Sequence, residues 1–242
     1  MSLYSNFPHS NIIGLSGKIN SGKNFSAKII QFIIVEKYVN GEIPLDFINN
    51  SLFYREKLSK FKEKAFADNL KYFASVLSGT KLESFYSAKN EVLPKPFDKY
   101  TRRTLLTTLG EKVNEIAPNY FIDSLMQEYK KTPGTIGMFD VDDEEFGENW
   151  IVTDVRFPEE KKAIEEAGGV VVRVDRSLYG RTGYTSIKEV EMKEPELISV
   201  LNNKSETALD NTNFKHRIEF NGQNIPEFIK KWKNLLNTII KD

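Results

Sequence analysis

Residues Asn11–Phe25 read NIIGLSGKINSGKNF. Asn11 to Ser16 is a short apolar run that ends at a glycine turn, the pattern of a buried strand. Gly17-Lys18-Ile19-Asn20-Ser21-Gly22-Lys23 follows with the spacing G-x-x-x-x-G-K. Lys23 then opens a stretch to Tyr38 in which Ala27, Ile30, Ile33 and Ile34 recur at helical spacing. Strand, glycine loop and helix in that order make a cradle for phosphate. The glycines let the backbone curl until its N–H groups point inward at an anion. The helix presents its positive N-terminal end to the same anion. Lys23 reaches the outer phosphates as a mobile point charge. Gly17, Lys18, Asn20, Ser21, Gly22 and Lys23 are therefore candidate ligands of a nucleoside triphosphate such as ATP. Asn24 stands where such loops usually carry a hydroxyl that ligates Mg²⁺. Its carbonyl oxygen is a candidate to hold the metal or a metal-bound water.

Downstream, the segment from Gly41 to Ser59 reads as an insertion, Lys62–Ala67 as a second strand, and Asp68 to about Leu77 as a helix N-capped by Asp68 and stopped at Gly79. Thr101–Ile116 is a helix with Leu105, Leu106, Leu109, Val113 and Ile116 on one stripe, and Pro118 opens another that runs to about Lys130. Residues 132–149 hold six acidic residues and no basic one, an exposed excursion. Trp150–Asp154 is a strand, Pro158–Ala167 a helix closed by Gly168-Gly169, and Val170–Val174 the next strand. Asp175–Lys204 is long, polar and irregular, the character of a mobile lid. Arg217–Phe220 is a last short strand, and Asn224–Ile240 a closing helix that buries Phe228, Trp232, Leu235, Leu236 and Ile239. Strands alternating with helices predict an α/β fold, a three-layer α/β/α arrangement around a parallel sheet of the P-loop NTPase type. Ligands of such sheets sit at the carboxyl ends of the strands, which points to Gly17–Lys23, Asp154–Arg156 and Asp175–Arg176.

Composition narrows the chemistry. With no cysteine and only His9 and His216, thiol nucleophiles, zinc–thiolate sites and multi-histidine centres are excluded. The 34 basic residues balance 34 acidic ones, so no global excess invites a nucleic-acid polymer. No apolar run has the length of a membrane span, and MSLYSNFPHS lacks the pattern of a signal peptide. The expected setting is the cytosol.

The glycine loop alone does not choose among kinase, GTPase and motor. Asn202-Asn203-Lys204-Ser205 is a poor version of a guanine reader, and a motor wants a longer chain with a basic groove. A small-molecule kinase wants a second anion pocket and basic residues to close over the reaction. Lys71, Arg102, Arg103, Arg156, Arg173, Arg176 and Arg181 are the candidates, since guanidinium forks bind phosphate oxygens bidentately. Asp154, at the tip of a strand beside the loop, suits a carboxylate that orders the water around Mg²⁺.

These residues fall in blocks. They are Gly17–Lys23, Phe66-Ala67-Asp68-Asn69-Leu70-Lys71, Arg103–Gly110, Thr153–Glu160, Gly168-Gly169 with the strand ending in Arg176, Ser205–Asp210, and Asn221-Gly222 after the terminal strand. In this order the chain resembles the deoxynucleoside monophosphate kinases of tailed phages and their relatives, from about residue 11 to 240. It departs from that pattern at Asn24-Phe25, where the best-known phage member has Asp-Thr, and in longer insertions at 40–60 and 132–149. The resemblance implies one adenylate-kinase-like domain over 11–240, with a helical acceptor region at 68–130 and a lid at 175–204. It implies ATP-dependent conversion of dNMP to dNDP, with ATP and dNMP as small-molecule partners; a homodimer is compatible with it. In that scheme Lys23, Asp154, Arg156 and Arg176 serve transfer, Arg181 helps Arg176 close the lid, Asn221 and Gly222 join the ATP site, and Lys71, Arg102, Arg103 and Arg156 face the acceptor. Two other readings stay open: a different small-molecule kinase, for dephospho-coenzyme A or a deoxynucleoside, and a non-catalytic ATP-binding phage protein.

Overall fold

The computed structural model describes residues 12–39, 61–131, 149–177, 193, 198, 201–220 and 224–239. The two insertions, most of the lid segment, Arg181, Asn221 and Gly222 lie outside the described residues. The chain groups into two compact units: Met1–Lys64 with Lys130–Asp242, and Ala65–Tyr129.

The first unit is built on five parallel strands in the order β2-β3-β1-β4-β5: β1 (Ile12–Ser16), β2 (Phe61–Lys64), β3 (Asn149–Val155), β4 (Val170–Asp175) and β5 (His216–Glu219). β1 lies at the centre, and its five residues are all buried. The chain leaves β1 toward β2 and β3 on one side, then crosses to β4 and β5 on the other. That reversal puts the sheet's topological switch point, where parallel sheets of this kind take ligands, at the carboxyl end of β1.

Helix α1 (Lys23–Val39) returns along one face, and α8 (Ile225–Ile239) joins it there; the helices between are numbered below. Ile13 and Leu15 of β1, Ala27 and Ile30 of α1, Val172 and Val174 of β4, and Phe228, Trp232 and Leu236 of α8 form the main core. Each large apolar side chain so buried contributes roughly 1.5–3 kcal/mol. The opposite face receives α6 (Pro158–Glu166) through Ile164. A Cβ on Gly14 would stand 2.8 Å from the Ile164 Cδ1, so a larger residue in mid-strand would push α6 away. Gln31 of α1 donates to the Phe61 carbonyl (2.7 Å) and ties the edge strand β2 to the helix layer.

Between Gly14 and Ser16 the register of β1 on β3 slips: Gly14 pairs with Val152 and Ser16 with Val155. β3 therefore carries one extra residue at that point. Such bulges re-aim the side chains that follow. Here they are Asp154 and Arg156.

The second unit holds α2 (Asp68–Ser78), α3 (Ser84–Ser87), α4 (Arg102–Ile116) and most of α5 (Tyr120–Lys131). Its core is Ala74, Phe85, Leu93 and Leu105, with Phe97, Leu106 and Leu109 against it. The α4 stripe is shorter than its spacing predicts. Only its first half packs on this cluster, and Ile116 is 84% exposed. Thr101 caps α4: its hydroxyl accepts the Thr104 N–H (3.1 Å), and the Thr104 hydroxyl accepts the Thr101 N–H (2.9 Å). Three other boundaries differ from the expected ones. β2 ends at Lys64 because the Asp68 carboxylate accepts the Ala65 N–H (2.8 Å) and turns the chain. Asp68 is thus the first residue of α2 rather than its N-cap, which is Ala67. α5 begins at Tyr120, after Asn119 takes φ 65°, not at Pro118.

Candidate functional site

The loop Gly17–Lys23 sits at the carboxyl end of β1, and glycine is required at both its ends. Gly22 has φ 99°, and a Cβ there would meet the Phe220 ring at 2.9 Å. A Cβ on Gly17 would lie 2.4 Å from the Val174 carbonyl oxygen. Asn20 takes the left-handed conformation at the tip, with φ 58°. The Ser21 N–H closes the turn on the Lys18 carbonyl (3.1 Å). The first amides of α1, at Lys23 and Asn24, have no acceptor within the helix.

Lys23 does not extend into solvent. Its ammonium donates to the Gly17 carbonyl (2.6 Å) and the Lys18 carbonyl (2.9 Å), folded back onto its own loop. Its pKa is lowered to about 7, first by burial and next by the nearby Arg156 cation; Glu206 and Asp154 oppose the shift. A lysine in this state is short of negative charge.

Asp154 and Arg156 arrive from the end of β3. Glu160 sets the turn between them and α6: its carboxylate accepts the backbone N–H of Arg156 (2.6 Å) and of Phe157 (3.0 Å). Burial, then the Asp154 charge, push the Glu160 carboxyl up to about 8, against the pull of those two N–H bonds and of Arg156. The Arg156 guanidinium donates through Nη1 to Glu206, whose side chain is 2% exposed. The other oxygen of Glu206 accepts the Ile19 N–H of the loop (2.5 Å).

Glu206 belongs to the short helix α7 (Lys204–Thr207), which Asn203 caps by accepting the Ser205 N–H. Asp210, further along this segment, takes Lys18 (2.7 Å) and Arg173 (3.3 Å). Arg173, buried on β4, also donates to the Ser16 hydroxyl (3.2 Å) and to Asp175 (3.3 Å), a strut beneath the loop. Arg176 donates to the Asn20 carbonyl (3.3 Å), and its guanidinium lies 4.9 Å from the Phe220 ring. Phe220 stacks on Phe228 with ring centroids 4.4 Å apart and meets Phe25 of α1 at 5.8 Å. Asn24 is exposed on the first turn of α1.

Lys18, Asn20, Lys23, Asp154, Arg156 and Arg176 are thus gathered at one end of one sheet. Sequence reasoning assigned no role to Glu206, Asp210, Glu160 or Phe220. The block Ser205–Asp210 was a signal for the first two, and the Pro-Glu-Glu opening of α6 for the third.

Lys71, Arg102 and Arg103 belong to the second unit. Lys71 is buried, bonded to Asp68 (2.9 Å) and 4.1 Å from the Tyr86 ring; the Tyr86 hydroxyl donates to the same carboxylate (2.8 Å). Arg102 ties α4 to the preceding loop through Ser84 (2.9 Å), the Ala88 carbonyl (3.3 Å) and Glu91 (3.2 Å). The Arg103 backbone N–H donates to the Lys89 carbonyl (2.8 Å) and its side chain to Asn90 through Nε (3.1 Å); its terminal nitrogens make no hydrogen bond among the described residues.

A nucleoside triphosphate fits the loop on its own geometry: two glycines that exclude a Cβ, free first-turn amides and an amine parked on neutral carbonyls. The oxygen donors at Asn24 and Asp154 are of the hard type that Mg²⁺ takes. Among the described residues no three acidic or histidine side chains cluster to hold a metal by themselves, and no helix is long and apolar enough to cross a membrane. No model of a protein family matches this chain, and no curated protein matches it.

Proposed function

We propose that the chain is a P-loop kinase that transfers the γ-phosphoryl group of ATP to a deoxynucleoside monophosphate. The supporting observation is Lys23, folded onto the carbonyls of Gly17 and Lys18 with its proton affinity depressed, at the carboxyl end of the central strand. The acceptor class comes from the order of the motif blocks, in which the loop stands with Thr153–Glu160 and Ser205–Asp210.

In this reading the loop amides and Lys23 bind the phosphate chain of ATP. Arg156 leaves its carboxylate partner and stabilises the charge on the group in transfer. Arg176, beside Asn20 and Phe220, covers the donor side. Arg103, whose terminal nitrogens make no hydrogen bond among the described residues, is the acceptor-phosphate ligand of the second unit; Lys71 and Arg102 hold that unit's own structure. Mg²⁺, held by Asn24 and Asp154 with water, would neutralise charge between the outer phosphates. No side chain need become covalently modified, because such transfer rests on positioning and electrostatics. The test is a coupled ADP-release assay against dNMPs, deoxynucleosides and dephospho-coenzyme A. Turnover with dNMPs supports the reading; ATP binding without turnover on any acceptor sinks it.

A further inference from the structure

Glu206 contacts both the loop and Arg156, yet the proposed chemistry gives it no role. It is nearly fully buried, and its two oxygens engage a loop amide, Ile19 N–H, and the Arg156 guanidinium. An amide and a guanidinium on two oxygens of one anion is the donor set that a terminal phosphate recruits. Glu206 also faces Lys23, whose charge it supports. Asp210 secures the same segment through Lys18 and Arg173, so the carboxylate is held in place and not merely adjacent.

We infer that the Glu206 carboxylate is a built-in surrogate for the terminal phosphate, holding Ile19 and Arg156 until a ligand phosphate displaces it. This rests on the reading that Gly17–Lys23 binds a phosphate chain. Two anions cannot share these donors. Displacement therefore links the two halves of the site: filling the loop frees Arg156 for the group in transfer. Until then Glu206 competes with the ligand, and affinity is lowered by the fraction of molecules in which it holds the site.

Inorganic tripolyphosphate separates this idea from the identity of the substrate, because it carries no base and no acceptor. Its binding to the full chain is measured by titration calorimetry for wild type and Glu206→Gln. The amide keeps the shape and can still accept the Ile19 N–H, but it lacks the charge. E206Q should bind about tenfold more tightly, which corresponds to a competent fraction of about a tenth in wild type. Equal or weaker binding by folded E206Q overturns the inference and leaves the phosphate-binding reading standing. Failure of both proteins to bind overturns both. Should E206Q not fold, the wild-type structure with tripolyphosphate decides: Glu206 should be withdrawn from Ile19 N. A carboxylate still bonded to Ile19 and Arg156 with phosphate in the loop makes it a fixed strut.

Discussion

Lys23 and Lys71 are both buried lysines at the start of helices, 8% and 9% exposed, yet their surroundings differ in kind. Lys71 has a carboxylate at 2.9 Å and an aromatic ring at 4.1 Å. Its charge is answered within its own unit. Lys23 bonds two neutral carbonyls, and burial with the nearby Arg156 cation outweighs Glu206 and Asp154, so that its pKa is lowered to about 7. The same contrast divides Arg102, engaged by three partners, from Arg103, engaged by one. A cation whose neighbours already answer it is part of the scaffold. A cation left on weak or removable partners is ready for an anion from outside.

The strongest test of that division is Lys23→Ala. It should lower phosphoryl transfer by on the order of 10²–10³ or more. The thermal midpoint should not fall, because the change removes a buried charge that burial disfavours. Near-normal turnover would falsify the assignment of the loop.

Arg102→Ala should do the reverse. Leaving Ser84, the Ala88 carbonyl and Glu91 without their donor should cost on the order of 1–3 kcal/mol of stability by denaturant melts. ATP affinity should be unchanged. If the variant is as stable as wild type and instead raises the dNMP KM, the contrast between Arg102 and Arg103 collapses.

The proton on Lys23 gives a third check. Its free pKa is about 7, and a bound triphosphate raises it, so binding above pH 7 must take up a proton. ATP affinity should therefore fall by up to about tenfold per pH unit as pH rises from 7 toward 9. Calorimetry in two buffers of different ionisation heat should show the uptake. For stability the sign is the opposite. The penalty for burying the charged amine is fully present below pH 7 and is relieved as pH rises from 7 toward 10.5.

The smallest effect concerns the metal. Asn24→Ser should lower the Mg²⁺ concentration for half-maximal rate by about two- to fivefold, since a short hydroxyl needs no reorientation. Asp154→Asn should raise it. A loss of activity in a folded Asn24→Ser protein would show a role for the amide that metal binding does not contain.

The local parts of this molecule were legible in the sequence and the distant ones were not. β1, the loop and α1 follow from local pattern alone, because a buried apolar run, two glycines at fixed spacing and apolar residues recurring at helical spacing are each visible in the sequence. The buried face of α8 was legible for the same reason. The length of the α4 stripe was misread, because spacing tells which residues share a face and not how far the neighbouring helix extends along it. The start of α2 turned on one carboxylate, Asp68, that bonds backward to Ala65 where a forward cap was expected. The block Ser205–Asp210 marked Glu206 as a residue of interest, but its contact lay beyond local reading, since its loop partner Ile19 is 187 positions away. Nothing in a stretch reading Lys-Ser-Glu-Thr says which backbone it will meet.

The wedge of Phe220 against Gly22 has a consequence for the order of biosynthesis. The loop is synthesised early, but the ring that limits its second glycine, and the Phe228 on which that ring stacks, come near the other end of the chain. Asp210, which takes Lys18 of the loop, also emerges late. A nascent chain halted before Asn203 thus carries every residue of the loop and none of these supports. If the loop takes a phosphate chain, that capture should therefore wait until the segment through Phe228 has been synthesised, long after the strand and helix that flank the loop.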